Sequence, residues 1–178
     1  MKKLLYPLAA VLVLGASAFT VMNSQDWKIS DDYSVKFTSA DPSGVFRGLK
    51  GTVKFDETDL ANSKFDVSID VSTINTGNGM KNGHAKSAKW FDAEKYPLIT
   101  FTSSSISKAS TGYAAKGVLE MHGVKKDFTI PFTFDKNASG GVFNASFDVN
   151  RLDFNINTEE PAHGASVVKV DISVPVSK

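Results

Sequence analysis

Apolar and polar residues alternate along most of the chain after residue 33. The clearest run is residues 65–71, where Phe65, Val67, Ile69 and Val71 are each separated by one polar residue. Further alternating runs begin at Val35, Val53, Phe128, Phe143 and Val168. A period of two places the apolar side chains on one face of a strand, as in an antiparallel sheet whose other face is in water. With residues 99–101 and 113–121 added, the pattern predicts about eight strands in an all-β barrel or sandwich.

Turn-forming residues separate these runs. Residues 41–44, 110–112 and 137–141 are rich in Gly, Ser, Asp and Asn, which favours hairpin connections between neighbouring strands. Pro131 lies on the polar face of its run, which predicts an edge, a bulge or a sharp bend there. The parity of the apolar positions changes at residues 150–152, and this change predicts a bulge.

One segment, residues 78–95, does not alternate. It contains several Gly, Ala and Lys residues before Trp90 and Phe91, and it predicts a loop with one or two short helices. In a barrel, such an insertion would lie across one mouth. Trp90 and Phe91 would then be the apolar residues that close that mouth.

The N-terminal residues are typical of an export signal. Lys2 and Lys3 precede an apolar run at residues 4–14, and Ala16-Ser17-Ala18 fits a signal-peptidase site. We therefore expect a signal peptide at residues 1–18 and a single domain at residues 19–178, with no stable membrane span after cleavage. The alternative is an uncleaved anchor, because residues 4–21 carry no charge. Either outcome places the domain outside the cytoplasm, in the periplasm or otherwise exported.

Composition removes several classes of function. The 178 residues contain no Cys, which excludes disulfides, thiolate zinc sites, cysteine nucleophiles and a cysteine-linked lipid. Twenty Lys and Arg against nineteen Asp and Glu give a net charge of +1, with no basic excess for nucleic acid. A chain of this length forms one ordinary domain.

No motif predicts catalysis or a metal site. The three histidines, His84, His122 and His163, lie in different segments and match no ligand spacing. There is no G-x-S-x-G sequence, and the carboxylates cluster near turns and termini. We therefore expect no enzymatic activity, no cofactor and no metal.

Phenylalanine is unusually frequent, with thirteen Phe against two Trp and four Tyr. The apolar faces of the strands would line the barrel interior with Phe37, Phe55, Phe65, Ile69, Phe101, Met121, Phe128, Ile130, Phe132, Phe143, Phe147 and Phe154. Side chains can fill the interior of an eight-stranded barrel, or the interior can hold one small ligand. The pattern alone leaves both alternatives open.

Arg151 has the inward parity of Val149. A buried guanidinium needs a partner, because burying an unpaired charge is costly. That partner is either a carboxylate, Asp148 or Asp153, or an oxygen on the headgroup of a ligand.

An ordered set of short motifs extends over nearly the whole mature chain. The residues are GVFRGLKG at 44–51, VKFD at 53–56, INTG at 74–77, KSAKWFD at 86–92, YPLITF at 96–101, GVLEMHGV at 117–124 and FDVNRLDF at 147–154. In this order they resemble the YceI-like family. Two positions depart from the family pattern: Tyr33 stands where a His is frequent, and Asn82 replaces a carboxylate in the segment 81–85.

The resemblance implies an exported, lipocalin-like, eight-stranded antiparallel barrel with a long apolar channel and no enzymatic activity. It implies binding of a polyisoprenoid or similar long-chain amphiphile, such as an isoprenoid quinone or fatty amide, in a carrier or sequestration role. It favours a ligand channel over a filled core, adds Trp90 and Phe91 to the lining, and makes Arg151 and His84 candidate headgroup contacts. The alternative function is a surface-interaction or stress-protective module with a filled core. Association as a homodimer stays open.

Overall fold

The alternating runs form one antiparallel sheet. The computed structural model describes residues 26–159 and 166–178. The predicted signal peptide, Glu160 and His163 lie outside these residues. The strands are β1 (Asp26–Ile29), β2 (Ser34–Thr38), β3 (Gly44–Phe46), β4 (Leu49–Lys54), β5 (Lys64–Asp70), β6 (Leu98–Lys108), β7 (Tyr113–Met121), β8 (Val124–Lys136), β9 (Gly140–Asn150) and β10 (Val167–Ser177). One α-helix, α1 (Gly79–Lys86), and 3-10 turns at Leu60–Asn62, Val71–Thr73 and Arg151–Phe154 complete the described elements.

Ten strand segments occupy eight positions around a closed barrel. Both β1 and β2 pair with β10, so they form one interrupted barrel strand. Likewise, β3 pairs with β2 and β4 pairs with β1, so these two segments form the next strand. The remaining strands follow in chain order from β5 to β10, and β1 closes the ring between β4 and β10. The prediction of an eight-stranded antiparallel barrel is confirmed.

Tyr33 joins the two interrupted strands where each of them breaks. Its phenol oxygen accepts a hydrogen bond from the backbone N–H of Leu49 at 3.0 Å. The YceI-like sequences that this chain resembles frequently have a His at this position. Here the position holds a phenol that accepts a backbone hydrogen bond.

The bulge predicted at residues 150–152 is wrong. Strand β9 ends at Asn150, whose side chain accepts a hydrogen bond from the N–H of Leu152 at 3.1 Å and starts the 3-10 turn Arg151–Phe154. Since a 3-10 turn repeats every three residues, Arg151 and Phe154 are both buried, which accounts for the change of parity.

Pro131 lies at a local edge, one of its predicted alternatives. Strand β8 pairs with β7 through Ala114↔Pro131, whereas its pairing with β9 begins only at Phe132↔Ala145. Proline has no N–H to donate, so a position without a partner on one side suits it.

Aromatic side chains pack one half of the lumen. Phe55 is 1% exposed, and its ring centroid lies 5.0 to 5.5 Å from those of Tyr113, Phe132, Phe134 and Phe143. The indole N–H of Trp27 donates to the carbonyl oxygen of Phe55 at 2.8 Å. We call this cluster the aromatic floor: Trp27, Phe55, Phe65, Tyr113, Phe132, Phe134 and Phe143. It closes the end of the barrel at which β6 ends and β7 begins.

In the part of the chain that the structure describes, no helix is both long enough and apolar enough to cross a membrane.

Candidate binding cavity

The other half of the lumen is a cavity of about 560 Å³. Its wall is mostly apolar and comes from β2 to β10 and the segment that contains α1. The lumen is therefore half packed core and half open space. Its volume lies within the roughly 300–1,000 Å³ typical of ligand pockets.

The structure divides the predicted channel residues into two groups. One group lines the cavity: Phe37, Ile69, Trp90, Phe91, Phe101, Met121, Ile130 and Phe147. The other does not: Phe55, Phe65, Phe132 and Phe143 belong to the aromatic floor, Phe154 is buried in its 3-10 turn, and Phe128 packs against Phe147. A period of two identifies the face of a strand on which a side chain lies. It does not give the height of that side chain along the barrel axis.

Aliphatic side chains that were not among the predicted channel residues supply much of the wall. They include Val35, Leu49, Val67, Leu119, Val170 and Ile172. The same alternation marks most of them, so the signal was present in the sequence. The predicted lining consisted mainly of aromatic residues because Phe is so frequent in the sequence.

The segment between β5 and β6 lies over the mouth, and close backbone contact with β3 holds it there. Val45 and Asn75 exchange two backbone hydrogen bonds of 2.9 Å. Gly44 permits this approach, because a Cβ at that position would lie 2.4 Å from the carbonyl oxygen of Asn75. The Phe91 ring then packs edge-on against Phe46 at 6.0 Å. The predicted helical insertion near one mouth is confirmed.

Side chains at the start of α1 organise the mouth. The Asn78 side chain caps the helix by accepting from the N–H groups of Met80 and Lys81 at 3.0 and 3.1 Å. Asn82, which replaces the family's carboxylate, accepts from the backbone N–H and the hydroxyl of Thr76, both at 2.8 Å. Its amide oxygen therefore has a local structural partner.

An ion pair crosses the mouth from α1 to the β2–β3 hairpin. The Lys81 ammonium lies 2.5 Å from a carboxylate oxygen of Asp41, and both residues line the cavity. Both side chains are substantially exposed. Exposed ion pairs contribute only about 0–1 kcal/mol to stability. This pair therefore places two opposite charges at the mouth but contributes little to holding α1 against the hairpin.

Asp70 begins the 3-10 turn from which the mouth segment starts. Hydrogen bonds from the side chain and then from the backbone N–H of Ser72 lower the pKa of the Asp70 carboxyl below its usual value. A lowered folded-state pKa adds stability above the unfolded pKa, and this stability is lost as the pH falls through the folded value.

We expect Asp70→Ala to lower the free energy of unfolding by about 1 kcal/mol at pH 7, the usual cost of a lost cap. The difference from the unsubstituted protein should shrink as the pH falls below the ordinary carboxyl pKa and the Asp70 carboxyl becomes protonated. Urea unfolding from pH 7 into that acid range measures it, with Asp127→Ala, on the exposed face of β8, as the control. A difference that stays constant as the protein is acidified would contradict the assignment.

Arg151 lines the cavity beside Trp90 and is only 7% exposed. One guanidinium nitrogen, Nη1, donates to the carbonyl oxygen of Ile156 at 2.7 Å and to that of Asn157. The guanidinium carbon lies 5.6 Å from the centre of the Trp90 ring. Neither Asp148 nor Asp153 is a hydrogen-bond partner of this guanidinium, and both are exposed. The hydrogen-bond partners of Arg151 are therefore backbone carbonyl oxygens and not the predicted carboxylate. No sequence pattern indicated these partners.

The described histidines have separate surroundings. His84 is exposed on α1 and lines the cavity at its mouth. His122 occupies the β7–β8 turn, with Nδ1 3.2 Å from the carbonyl oxygen of Phe154 and its ring 5.0 Å from Tyr96. Across residues 26–159 and 166–178, no three His, Cys, Asp or Glu side chains are grouped as metal ligands.

Comparison with known sequences matches the whole barrel. A family model described as the YceI-like domain covers residues 23–177. The UPF0312 protein YE1254 of Yersinia enterocolitica is 32% identical over 122 residues, which are 65% of this chain and 64% of that protein. The match thus spans slightly less than two thirds of that relative's length.

Solved structures share the same architecture. The crystal structure of BcnA from Burkholderia cenocepacia superposes with a TM-score of 0.79 and 28% identity, over 85% of this chain and all of that one. A polyisoprenoid binding domain from Saccharophagus degradans, implicated in plant cell wall breakdown, has the same fold at a TM-score of 0.58 and 15% identity, over 88% of this chain and 95% of that one. Because the matched residues run from the first described strand to the last, this chain belongs to the YceI-like family.

Proposed function

We propose that this protein binds a long-chain amphiphile, such as an isoprenoid quinone or a fatty amide, in the cavity of its barrel. The observation that carries the proposal is the apolar cavity of about 560 Å³ between a packed floor and a mouth with polar residues. An apolar chain would occupy the lumen, and a polar end would lie near Arg151, Trp90 and α1.

The energetics of chain burial favour this role. Each buried CH₂ contributes about 0.8 kcal/mol, so about 12 carbons contribute roughly 10 kcal/mol. Association costs about 4–15 kcal/mol, so a buried chain of about 12 carbons is of the size needed to offset that cost, and each further buried CH₂ tightens binding by about 0.8 kcal/mol. No nucleophile with an adjacent base is needed for such a role, and we propose binding rather than catalysis.

Two further observations support a carrier or sequestration role outside the cytoplasm. The N-terminal sequence has the charge, apolar run and cleavage pattern of an export signal. The neighbour from Saccharophagus degradans, which shares the fold, is described as a polyisoprenoid binding domain. A lipid that must cross an aqueous compartment needs its chain shielded from water, and the cavity offers this shielding.

The test is mass spectrometry of an organic extract of the full chain, expressed with its own N-terminal residues and purified without detergent. One long-chain compound per protein molecule is the expected result. Protein from its native host that repeatedly yields an empty extract would overturn the proposal and favour the surface-interaction alternative.

A substitution that fills the cavity should remove the lipid without unfolding the protein. Val170 lines the cavity between its strand partners Phe147 and Phe37, so Val170→Trp would place an indole in open space. We expect at least a tenfold loss of co-purified lipid with no large loss of stability. Val118→Trp is the matched control, since Val118 is 38% exposed and does not line the cavity. Equal lipid content in the two variants would contradict the cavity as the binding site.

A further inference from the structure

Arg151 places a buried positive charge in the wall of the cavity without a carboxylate beside it. The residue is 7% exposed, lies against the ring of Trp90 and lines the lumen. Among residues 26–159 and 166–178, no carboxylate forms an ion pair with this guanidinium. Its hydrogen-bond partners, the carbonyl oxygens of Ile156 and Asn157, are neutral. Burying a charge is costly unless an opposite charge accompanies it, so an anionic occupant would lower that cost.

The two carbonyl oxygens occupy only one part of the guanidinium. Of the five N–H donors that a guanidinium carries, two are on Nη1, and Nη1 bonds to two carbonyl oxygens. The donors on Nε and Nη2 have no acceptor among the described residues. Nε and Nη2 lie on the same edge of the planar group, where one N–H bond of each runs parallel to the other. Such an edge binds both oxygens of a carboxylate at once.

The nitrogens on this edge can be reached from the cavity. In the part of the chain that the structure describes, the side-chain polar atom that is inaccessible and also lacks a hydrogen-bond partner is Oδ1 of Asn157. Nε and Nη2 of Arg151 lack a partner there as well but do not share that inaccessibility, so each retains accessible surface. Since Arg151 lines the lumen, an occupant can accept hydrogen bonds from this edge.

The remainder of the cavity wall does not oppose a negative charge. Of the described residues in the wall, Asp41 is the one with an acidic side chain, and Lys81 pairs with it at the mouth. Most other wall residues are apolar, which keeps the local dielectric low. Opposite charges attract more strongly in such surroundings than in water.

We propose that the Nε–Nη2 edge of Arg151 is a carboxylate subsite, and that the preferred occupant is a long-chain carboxylic acid in its ionised form. The chain would lie in the lumen, and both carboxylate oxygens would accept hydrogen bonds from Arg151. An alcohol, an amide or a quinone carbonyl offers this edge one neutral oxygen and leaves the charge without a counter-charge. The inference rests on the function proposed above and narrows the ligand class within it.

A competition between two lipids of nearly the same shape tests the subsite. Oleic acid and oleamide have the same chain, and the carboxylate of one corresponds to a neutral carboxamide in the other. Both are supplied at equal mole fraction in phosphatidylcholine vesicles to delipidated protein at about pH 8.5, well above the ordinary pKa of a carboxylic acid. Mass spectrometry measures the ratio bound to the protein. We expect the acid to be enriched at least about tenfold, because charge-assisted, two-point hydrogen bonds are roughly twice as strong as neutral ones.

Arg151→Lys then assigns the preference to the pair of parallel donors. Lysine keeps the positive charge, but its ammonium is a point charge without a planar edge. The variant should bind the two lipids within about threefold of each other, since the two-point contact is lost. Arg47→Lys is the matched control, because Arg47 is exposed and does not line the cavity.

A spectroscopic measurement on the unsubstituted protein locates the carboxylate directly. The NMR signal of the Arg151 Nε–H, identified by its absence from Arg151→Lys, should shift when oleic acid binds. The shift with oleamide should be smaller, because a neutral oxygen is the weaker acceptor. An Nε–H signal that oleic acid leaves unchanged would overturn the subsite.

The outcomes of the competition separate the subsite from the proposed function. If the unsubstituted protein binds the acid and the amide equally, the subsite is wrong and chain binding stands. If it binds neither lipid, the binding function fails, and the subsite fails with it. If Arg151→Lys keeps the full preference for the acid, the parallel donors of Arg151 do not recognise the headgroup and the proposal is overturned.

Discussion

Replacing Phe55 by alanine is expected to lower the free energy of unfolding by about 4 kcal/mol, the largest effect we predict for a single substitution. Phe55 is 1% exposed, and four other rings of the aromatic floor lie within 5.5 Å of its centroid. The surrounding rings cannot collapse into the space that Phe55 leaves. The substitution therefore loses the transfer free energy of the buried ring and also incurs the cost of an unfilled cavity. Urea unfolding of delipidated protein measures the change.

Phe147→Ala is the matched control for this prediction. Phe147 is half-buried and faces the open cavity, so its ring has packed neighbours on fewer sides. We expect it to cost about 2 kcal/mol or less, below the usual range for a buried Phe. The same variant should co-purify with less lipid, whereas Phe55→Ala should retain its lipid if it folds. Equal destabilisation by the two substitutions would mean that the floor and the cavity wall are packed alike.

Arg151→Met is expected to lower the free energy of unfolding by about 2–4 kcal/mol. The methionine stem fills much of the same space, but the carbonyl oxygens of Ile156 and Asn157 lose their donor. Each carbonyl left unpaired in a buried position costs about 1–3 kcal/mol, and the contact with Trp90 is lost as well.

Arg47→Met provides the control for Arg151, because Arg47 is exposed. A surface substitution of this kind should change stability by no more than about 0.5 kcal/mol. Both variants are to be compared as delipidated proteins, so that ligand binding adds nothing to the measured stability. If the two variants were equally stable, the bonds from Arg151 would contribute nothing to the fold.

The strands and the mouth segment could be predicted because their signals are local. Alternation at Phe65, Val67 and Ile69 fixes a strand and its inward face, and loss of alternation after residue 78 marks the insertion. Strand order and closure needed more than alternation, since a sandwich has the same pattern. The ordered resemblance to a family supplied that information.

The division of the lumen could not be predicted from the same signals. Phe55 and Phe147 share inward parity, yet one is in the floor and the other lines the cavity. Their heights follow from the stagger between strands, which is a property of the closed barrel. The partners of Arg151 gave no signal at all, because they are the backbone carbonyl oxygens of Ile156 and Asn157, and every residue carries a backbone carbonyl.

The aromatic floor also fixes the order of events for any occupant of the cavity. A tube closed at one end cannot be threaded from one side to the other. A chain must enter with its tail first and withdraw with its headgroup first, through the same portal between α1 and the β2–β3 hairpin. Entry and release of any occupant therefore use the same face of the molecule, one after the other.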